Sequence, residues 1–464
     1  MSVSTETPAR PLTARPGVAL ALILTCQLML MLDATVMNVA LPRIRADLGF
    51  TLASLSWVMN AYTLVFGGLL LIGGRMGDLF GRRRIFMVGI AVFTVASLAG
   101  GLADSAGLLI AARIVQGVGA ALAGPSTIAL ITSTFTEQRA RIRALSLFSA
   151  MSSSGFAVGL ILGGFLTEWL TWRSVMFINV PFGIAVLALG ARYVSEPARH
   201  PARLDLVGAS LATVGVASLV FGFIQAAENG WGTAAAVSPL VVGAVLMVAF
   251  VVTQTRVANP MLPLRLFADR NRAAGYVNFF LGPLAMMAAF FFLTQFLQEV
   301  SGYRALTTGF AFLPMALGIF GLSRLIPRLL PLFGPKPMAL TGSLLMAAGL
   351  WWLSGLTASS GYVEAIFGPM VLMGLGAGLA FSPLNVLIMG NVPPADAGAA
   401  GGALQTMQQI GSTLGLAILV TIAGSASRGT AGTAAVVTGA TAAFAAAAGV
   451  VLLTFLVALT FRKQ

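Results

Sequence analysis

Apolar segments of about 20 residues recur along almost the whole chain, and each is long enough to cross a hydrocarbon layer of roughly 30 Å as a helix. Hydrophobic residues make up 58% of the sequence and charged residues 9%, whereas soluble domains carry about 25% charged residues. We therefore predict an all-α polytopic membrane protein with 14 transmembrane helices. The predicted spans are 17–41, 53–74, 85–103, 107–132, 142–166, 174–193, 205–226, 236–255, 274–298, 307–330, 337–357, 363–386, 398–423 and 436–460.

The basic residues predict how these spans are oriented. Cytoplasmic loops of membrane proteins are enriched in arginine and lysine, and 21 of the 27 basic residues lie on one side if both termini are cytoplasmic. The net charge of +13 is thereby explained by topology, and no basic patch interleaved with aromatic residues indicates binding to nucleic acid. We expect a multi-pass protein of the cell (plasma or inner) membrane.

An internal repeat predicts how the spans are grouped. Gly155 and the residues after it recur at Gly411, 256 residues later, and Gly81 with its arginines recurs at Gly334 with Lys336, 253 residues later. Six spans with their loops need only about 190 residues, so the excess of about 60 residues corresponds to two additional spans. The predicted organisation is a cytoplasmic tail at 1–16, an N-terminal six-helix bundle at 17–193, an inserted two-helix segment at 194–256 and a C-terminal six-helix bundle at 257–464.

Asp33 is the only acidic residue that lies well inside a predicted span. An ionisable group in that position costs roughly 2.5 to 3.5 kcal/mol on insertion scales, so it usually faces a cavity and has a function. A carboxylate can accept a proton and can also hold a cationic compound. The single cysteine, Cys26, and the single histidine, His200, exclude a disulfide framework and a histidine-based metal site.

The stretch from Gly74 to Arg84, GRMGDLFGRRR, lies between the second and third spans. Its glycines permit a tight turn, and its acid can meet a helix N-terminus or an arginine. The stretch resembles the signature loop of the major facilitator superfamily. This resemblance implies a conformational switch formed by Gly77, Asp78, Gly81 and Arg82. Anchoring by positive charge at the cytoplasmic face would explain the arginines but not the spacing of glycine, aspartate and glycine.

Arg113 is assigned to the interior of a predicted span, whereas the other basic residues are assigned to tails, loops or span ends, and Gln116 follows it by almost one helical turn. The run RIVQGVGAA is similar to the buried-arginine motif of the same superfamily, which implies a role for Arg113 in proton coupling. Asp33 is the expected electrostatic partner, with or without a direct salt bridge. Two alternatives remain open: Arg113 extends its side chain to the membrane surface, or it braces the helix through backbone carbonyls.

Two further motifs indicate which branch of the superfamily the chain resembles. Gly155 and Gly159 resemble the antiporter motif, which implies a part in the conformational switch, although close helix packing through small residues explains them equally. Leu160 stands where the family pattern has proline, which leaves the direction of transport open. The stretches 32–42 and 172–181 are similar to the 14-helix drug:proton antiporter branch. This likeness implies a major facilitator fold of two pseudo-symmetric six-helix bundles plus two inserted helices.

The resemblance implies proton-coupled efflux of amphipathic drugs, antibiotics or cationic compounds by alternating access. No nucleotide-binding motif occurs, so we expect the proton motive force to supply the energy, with no cofactor, no metal and no enzymatic activity. The expected partners are the drugs, protons and the lipid bilayer, and the expected state is a monomer. The candidate substrate-binding residues are Asp33, Met37, Asn38, Gln116, Met151, Phe156, Asn278, Phe279 and Phe280.

Three alternatives accompany these expectations. The methionines and phenylalanines could simply pack or face lipid. The chain could be an ion-coupled uptake symporter for an amphipathic metabolite, or a membrane sensor or scaffold that transports nothing.

Overall fold

The computed structural model describes residues 16–197, 205–257, 260, 264–389, 392 and 397–462. No strand occurs within these ranges, and every regular element is helical. The helices are α1 (Pro16–Leu48), α2 (Leu52–Phe80), α3 (Arg82–Gly101), α4 (Ala106–Thr134), α5 (Gln138–Trp169), α6 (Ser174–Phe177), α7 (Asn179–Tyr193), α8 (Leu206–Asn229), α9 (Ala234–Arg256), α10 (Arg270–Gln295), α11 (Ala305–Ala311), α12 (Leu313–Phe333), α13 (Pro335–Leu353), α14 (Gly368–Met389), α15 (Ala397–Ala426) and α16 (Gly432–Leu459), with a 3₁₀ turn at Leu264–Phe267 and π-helical turns at Phe296–Val300 and Val363–Phe367.

Each of the predicted spans coincides with a helix or with two consecutive helices. Among the described residues, 12 helical segments are long and apolar enough to cross a membrane. The two remaining predicted spans, 142–166 and 337–357, fall on α5 with 32 residues and α13 with 19 residues. The all-α membrane fold is therefore confirmed, and the prediction of 14 transmembrane helices is consistent with the structure.

Two predicted spans are divided by a proline near their beginning. Proline has no N–H group for the carbonyl four residues earlier, so Pro181 removes the helical bond to Phe177, the last residue of α6. Pro314 likewise removes the bond to Phe310, one residue before α11 ends. The sequence analysis did not predict these two interruptions.

The directions of the helices define two faces of the molecule. Asn271, at the start of α10, bonds to the backbone of Arg462, and Lys336, at the start of α13, donates to the carbonyls of Leu459 and Phe461 at 2.7 Å each. Because α1 runs parallel to α10, Pro16 lies at this same end. We call it the terminal face, and we call the other end, where α1 finishes at Leu48, the opposite face.

Equivalent residues of the two halves, α1–α7 and α10–α16, make equivalent contacts. Arg83 near the start of α3 donates to the carbonyls of Ala191 and Val194 at the end of α7. Lys336, 253 residues further on, makes the same kind of contact to the end of α16. Where α1 meets α10, the Asn38 amide bonds to Thr294, 256 residues away, at 2.9 Å. The repeat found in the sequence is thus a pseudo-twofold relation between two halves.

The inserted helices α8 and α9 cover one seam between these halves. The side chains of α8 pack between α2 and α15 in a shared apolar cluster that includes Leu64, Val220 and Ile410. On the α15 side, the Thr421 hydroxyl donates to the Phe223 carbonyl of α8 at 2.6 Å. Since α8 touches both halves, the inserted pair bridges them.

The apolar core joins the halves near the opposite face. The largest buried cluster includes Leu41 of α1 together with Phe296, and it extends over both halves. Nearer the terminal face, two separate clusters replace it. One contains Ile23 and Phe93 of the first half, and the other contains Phe279 of the second half together with residues of α8 and α9.

Glycine permits a close contact between α3 and α4 in the first half. A Cβ atom on Gly119 of α4 would lie 2.6 Å from the Phe93 nitrogen and 2.7 Å from the Gly89 oxygen of α3. Small residues allow backbones to approach in this way in membrane proteins. The contact fixes α4, which carries Arg113, against α3.

We predict that Gly119→Leu lowers the free energy of unfolding by about 1 to 3 kcal/mol or more, because the added side chain has to displace the α3 backbone. Thermal unfolding of the purified protein in detergent measures this loss. Gly107→Leu, on the same helix but with nothing within 4 Å of an added Cβ atom, is the matched control. Equal losses in the two variants would contradict the assignment to packing.

Candidate functional site

The centre of the first half contains a fully buried ion pair. Asp33 of α1 accepts a hydrogen bond from Nη1 of Arg113 of α4, and both side chains have 0% exposure. An isolated charge in such surroundings would be very costly, but the two opposite charges make the pair neutral. The sequence analysis left open whether these residues touch. The structure places them in direct contact, and it places Arg113 away from the surface.

Other polar groups complete this pair. The second carboxylate oxygen of Asp33 accepts from the amides of Gln116 at 3.1 Å and Asn179 at 3.2 Å. The Arg113 Nε donates to the Val58 carbonyl of α2 at 2.9 Å, and the Gln116 amide donates to Ser97 of α3 at 2.7 Å. We call Asp33, Arg113, Gln116, Asn179, Ser97 and the Val58 carbonyl the buried network.

The buried network connects five helices, namely α1, α2, α3, α4 and α7. The Tyr62 ring lies 4.4 Å from the Arg113 guanidinium carbon, in a cation–π contact. Within the described residues, two polar atoms of the buried network, Arg113 Nη2 and Asn179 Oδ1, and the adjacent Tyr62 hydroxyl have no hydrogen-bond partner. Unpaired buried atoms are unusual, and they give the network capacity to form different hydrogen bonds when its charge changes.

Because of this arrangement, proton binding at Asp33 has an electrostatic consequence for the whole first half. Addition of a proton removes the negative charge and leaves the Arg113 cation without a counter-ion. The unpaired atoms would then form new hydrogen bonds, and the packing of the five connected helices would change. This is the chemistry that a proton-coupled conformational change requires.

We predict that Arg113→Met lowers the free energy of unfolding by about 3 to 5 kcal/mol, since it leaves a buried carboxylate without its counter-ion. The double variant Asp33→Asn with Arg113→Met should regain part of that loss, because no uncompensated charge remains. Thermal unfolding in detergent tests both variants.

The matched control for this prediction is Glu299→Gln, which breaks the partly exposed pair between Arg45 and Glu299. Partly exposed pairs contribute about 1 kcal/mol or less. A loss in the double variant as large as in Arg113→Met would show that the damage does not come from the unpaired charge.

The candidate substrate-binding residues do not gather in one place. Gln116 lies in the buried network with Asp33. Met37 is fully buried in the core near the opposite face, and Asn38 bonds across to Thr294 of the second half. Met37 and Asn38 therefore lie in the region where the halves meet, whereas Gln116 lies inside the first half.

The remaining candidates lie elsewhere. On α10, the Asn278 amide donates to the Ala274 carbonyl at 3.0 Å, the Phe279 ring lies 5.5 Å from the Phe381 ring, and Phe280 is half-buried. Met151 of α5 is half-buried, and the side chain of Phe156 lies outside the described residues. The roles of all these residues as ligands stay predictions.

The signature loop is held by an acid that the sequence analysis did not select. Glu196, after the end of α7, accepts from the backbone N–H groups of Arg83 at 3.1 Å and Arg84 at 3.2 Å, and so caps α3. Gly81 has φ +105°, and its missing Cβ leaves room for the Glu196 carboxylate, 2.8 Å from where that atom would be. Only glycine fits both requirements.

The start of α13, the equivalent of α3 in the second half, has fewer N–H groups to cap. There α13 begins Pro335-Lys336-Pro337, and prolines have no N–H groups to cap. No spacing in the sequence connects Glu196 with position 81, which lies more than 100 residues earlier.

The other predicted switch residues lie at helix contacts. Gly77 packs against the side chain of Arg82, whose Cδ would be 2.8 Å from an added Cβ atom, and the side chain of Asp78 lies outside the described residues. Gly155 and Gly159 allow α5 to approach α1 at Met31 and Thr35. Their part in a conformational switch stays a prediction.

Ion pairs close the opposite face. Arg45 of α1 pairs with Glu299 at 2.7 Å, and Glu168 at the end of α5 lies 3.6 Å from Arg304 and accepts from the Leu306 N–H at 3.0 Å. Both contacts join the first half to the second. With the shared core in the same region, they indicate a conformation in which the opposite face is closed.

Comparison with known proteins shows which family has this architecture. The family model for the Major Facilitator Superfamily matches residues 23–416. The chain is 44% identical to the cephamycin export protein CmcT of Amycolatopsis lactamdurans, over 90% of this chain and 87% of that protein. It is 41% identical to the puromycin resistance protein pur8 of Streptomyces alboniger, over 88% of this chain and 82% of that protein.

A solved structure is similar in fold. The nucleoside transporter NupG superimposes with a TM-score of 0.66 at 13% identity, covering 97% of this chain and 100% of that one. At this identity the likeness concerns the fold alone.

Proposed function

Since the chain belongs to the major facilitator superfamily, we propose that it exports amphipathic drugs, antibiotics or cationic compounds across the cell membrane in exchange for protons. The relatives named for cephamycin export and puromycin resistance support this choice of substrate class. The family consists of transporters, so the chain carries a solute across the membrane and performs no chemical conversion of it.

The buried pair of Asp33 and Arg113 is the observation on which the proton exchange rests. Asp33 accepts a proton from outside and releases it to the cytoplasm as the halves rock. Ionised Asp33 is satisfied by Arg113, Gln116 and Asn179, and protonation breaks that balance. The energy comes from the proton motive force, without a cofactor, and one chain suffices because all members of the buried network belong to it.

The conformation in this structure fits one stage of such a cycle. If both termini are cytoplasmic, the closed opposite face is the external one, and the two separate terminal-face clusters lie on the cytoplasmic side. A drug then enters from the cytoplasm or from the inner leaflet. Opening to the outside requires the Arg45–Glu299 and Glu168–Arg304 contacts to break.

The proposed roles are as follows. Proton coupling is assigned to Asp33 and Arg113; substrate contact to Asp33, Met37, Asn38, Gln116, Met151, Phe156, Asn278, Phe279 and Phe280; and conformational switching to Gly77, Asp78, Gly81, Arg82, Gly155 and Gly159.

We predict that Asp33→Asn abolishes uphill drug transport, because an amide cannot release a proton. Inverted membrane vesicles with an acidic lumen are given ethidium, and its accumulation is followed by fluorescence. The wild type accumulates the dye until nigericin collapses the pH gradient, and Asp33→Asn does not accumulate it. Asp104→Asn, at an exposed loop position, is the matched control and keeps wild-type accumulation.

The same vesicles decide the direction of transport. Expulsion of substrate from inverted vesicles would favour uptake, the alternative that Leu160 in place of proline leaves open. Full accumulation by Asp33→Asn, at wild-type protein levels, would remove Asp33 from the mechanism.

A further inference from the structure

Asn179 occupies a position that neither its motif nor the family comparison explains. It is the first residue of α7, directly after the break that follows α6, and it is 1% exposed. Its Nδ2 donates to Asp33 at 3.2 Å, while its Oδ1 has no partner among the described residues. The Asn179 amide therefore has a donor that already bonds to Asp33 and, beside the same carboxylate, an acceptor that has no partner within the described residues.

The two protonation states of Asp33 need opposite partners. The ionised carboxylate only accepts hydrogen bonds, whereas the protonated group forms one O–H bond that must donate. Most other acceptors in the buried network are already occupied: Gln116 Oε1 receives a bond from Arg113 at 3.0 Å, and Ser97 Oγ receives one from Gln116. Asn179 Oδ1 is the unoccupied acceptor on a side chain that already touches Asp33.

A half-turn of the Asn179 amide exchanges its oxygen and its nitrogen. We propose that Asn179 is a positioning residue of the proton site, which donates to ionised Asp33 and accepts from protonated Asp33, and so passes the protonation state to the start of α7. The inference rests on the proposed function, since it assumes that Asp33 carries the proton.

Few other groups act on Asp33. Among the residues that the structure describes, the charged or titratable side chains around it are Arg113 of α4, Tyr62 of α2 and, nearer the start of α1, the thiol of Cys26, which lies near Tyr62. Within the described residues, α3 contributes Ser97 and α7 contributes Asn179 to the buried network. A shift in the pH dependence of transport on changing Asn179 would therefore arise from its own contact with Asp33.

The sign of that shift follows from bond strengths. Asn179→Leu removes a donor from the ionised carboxylate and an acceptor from the protonated acid. Hydrogen bonds to an ionised acceptor are about twice as strong as neutral ones, so the ionised state loses more. Release of the proton then requires a higher pH, and we expect the midpoint to rise by about half to one pH unit.

The experiment measures proton release on addition of ethidium to the purified protein in detergent, with a pH-indicator dye, from pH 6 to 9. The expected result is a raised midpoint for Asn179→Leu and a midpoint close to the wild type for Asn179→Gln, which retains the amide. Asn60→Leu is the matched control, because Asn60 of α2 is equally buried, has no partner within the described residues and does not bond to Asp33.

Asn179→Asp keeps the test decisive if the leucine variant is poorly folded. It preserves the size of the side chain and places a second carboxylate beside Asp33, which raises the midpoint further because two adjacent carboxylates resist joint ionisation. Wild-type midpoints in both variants would overturn the inference.

Asp33→Asn separates this failure from a failure of the proposed function. If that variant still releases protons on drug binding, the proton site itself is wrong. If it releases none while both Asn179 variants behave as the wild type, only the role of Asn179 is wrong.

Discussion

The arrangement of helices in the first half depends on a carboxylate and a guanidinium that are buried together. Neither Asp33 nor Arg113 is tolerable alone in an apolar helix bundle, and together they still need hydrogen bonds for their remaining oxygen atoms and N–H groups. Those bonds come from α2, α4 and α7, and Ser97 of α3 in turn accepts a bond from Gln116, so the relative placement of five helices is tied to one ion pair. Glycine contacts such as Gly119 on Gly89 bring the backbones close enough for these short polar side chains to meet.

Such a pair adds little stability by itself, since well-packed apolar residues in its place would often be as stable or more stable. We propose that its role lies in the response of the bundle to protonation of Asp33. Protonation neutralises Asp33 and leaves Arg113 as a buried cation without a counter-ion. That state favours a different packing of the helices around it. In that proposal the network adjusts through atoms of Arg113, Asn179 and Tyr62 that have no hydrogen-bond partner within the described part of the chain.

The rest of the molecule is organised for that change. Near the opposite face the halves share a continuous apolar core and are fastened by ion pairs on partly exposed side chains, which are weak enough to break. Near the terminal face each half has its own core. The inserted helices cover the seam of α2 and α15 and so stay in contact with both halves. Within each half, by contrast, the contacts of Arg83 and Lys336 hold helix ends together and preserve the half as a unit.

The sequence alone determined the all-helical class, the approximate positions of the spans, the twofold repeat and the presence of two charges, Asp33 and Arg113, within spans. The reason is that the transfer of a 20-residue segment into lipid is a local property, and a charge within such a segment is conspicuous. The sequence did not determine where helices break, since Pro181 and Pro314 interrupt spans while Pro42 and Pro125 lie inside continuous helices. Nor did it single out Glu196 on α3, Asn179 on Asp33 or Glu299 on Arg45. Those partners lie more than 100 residues apart, and only the packing of the helices decides which side chain faces which.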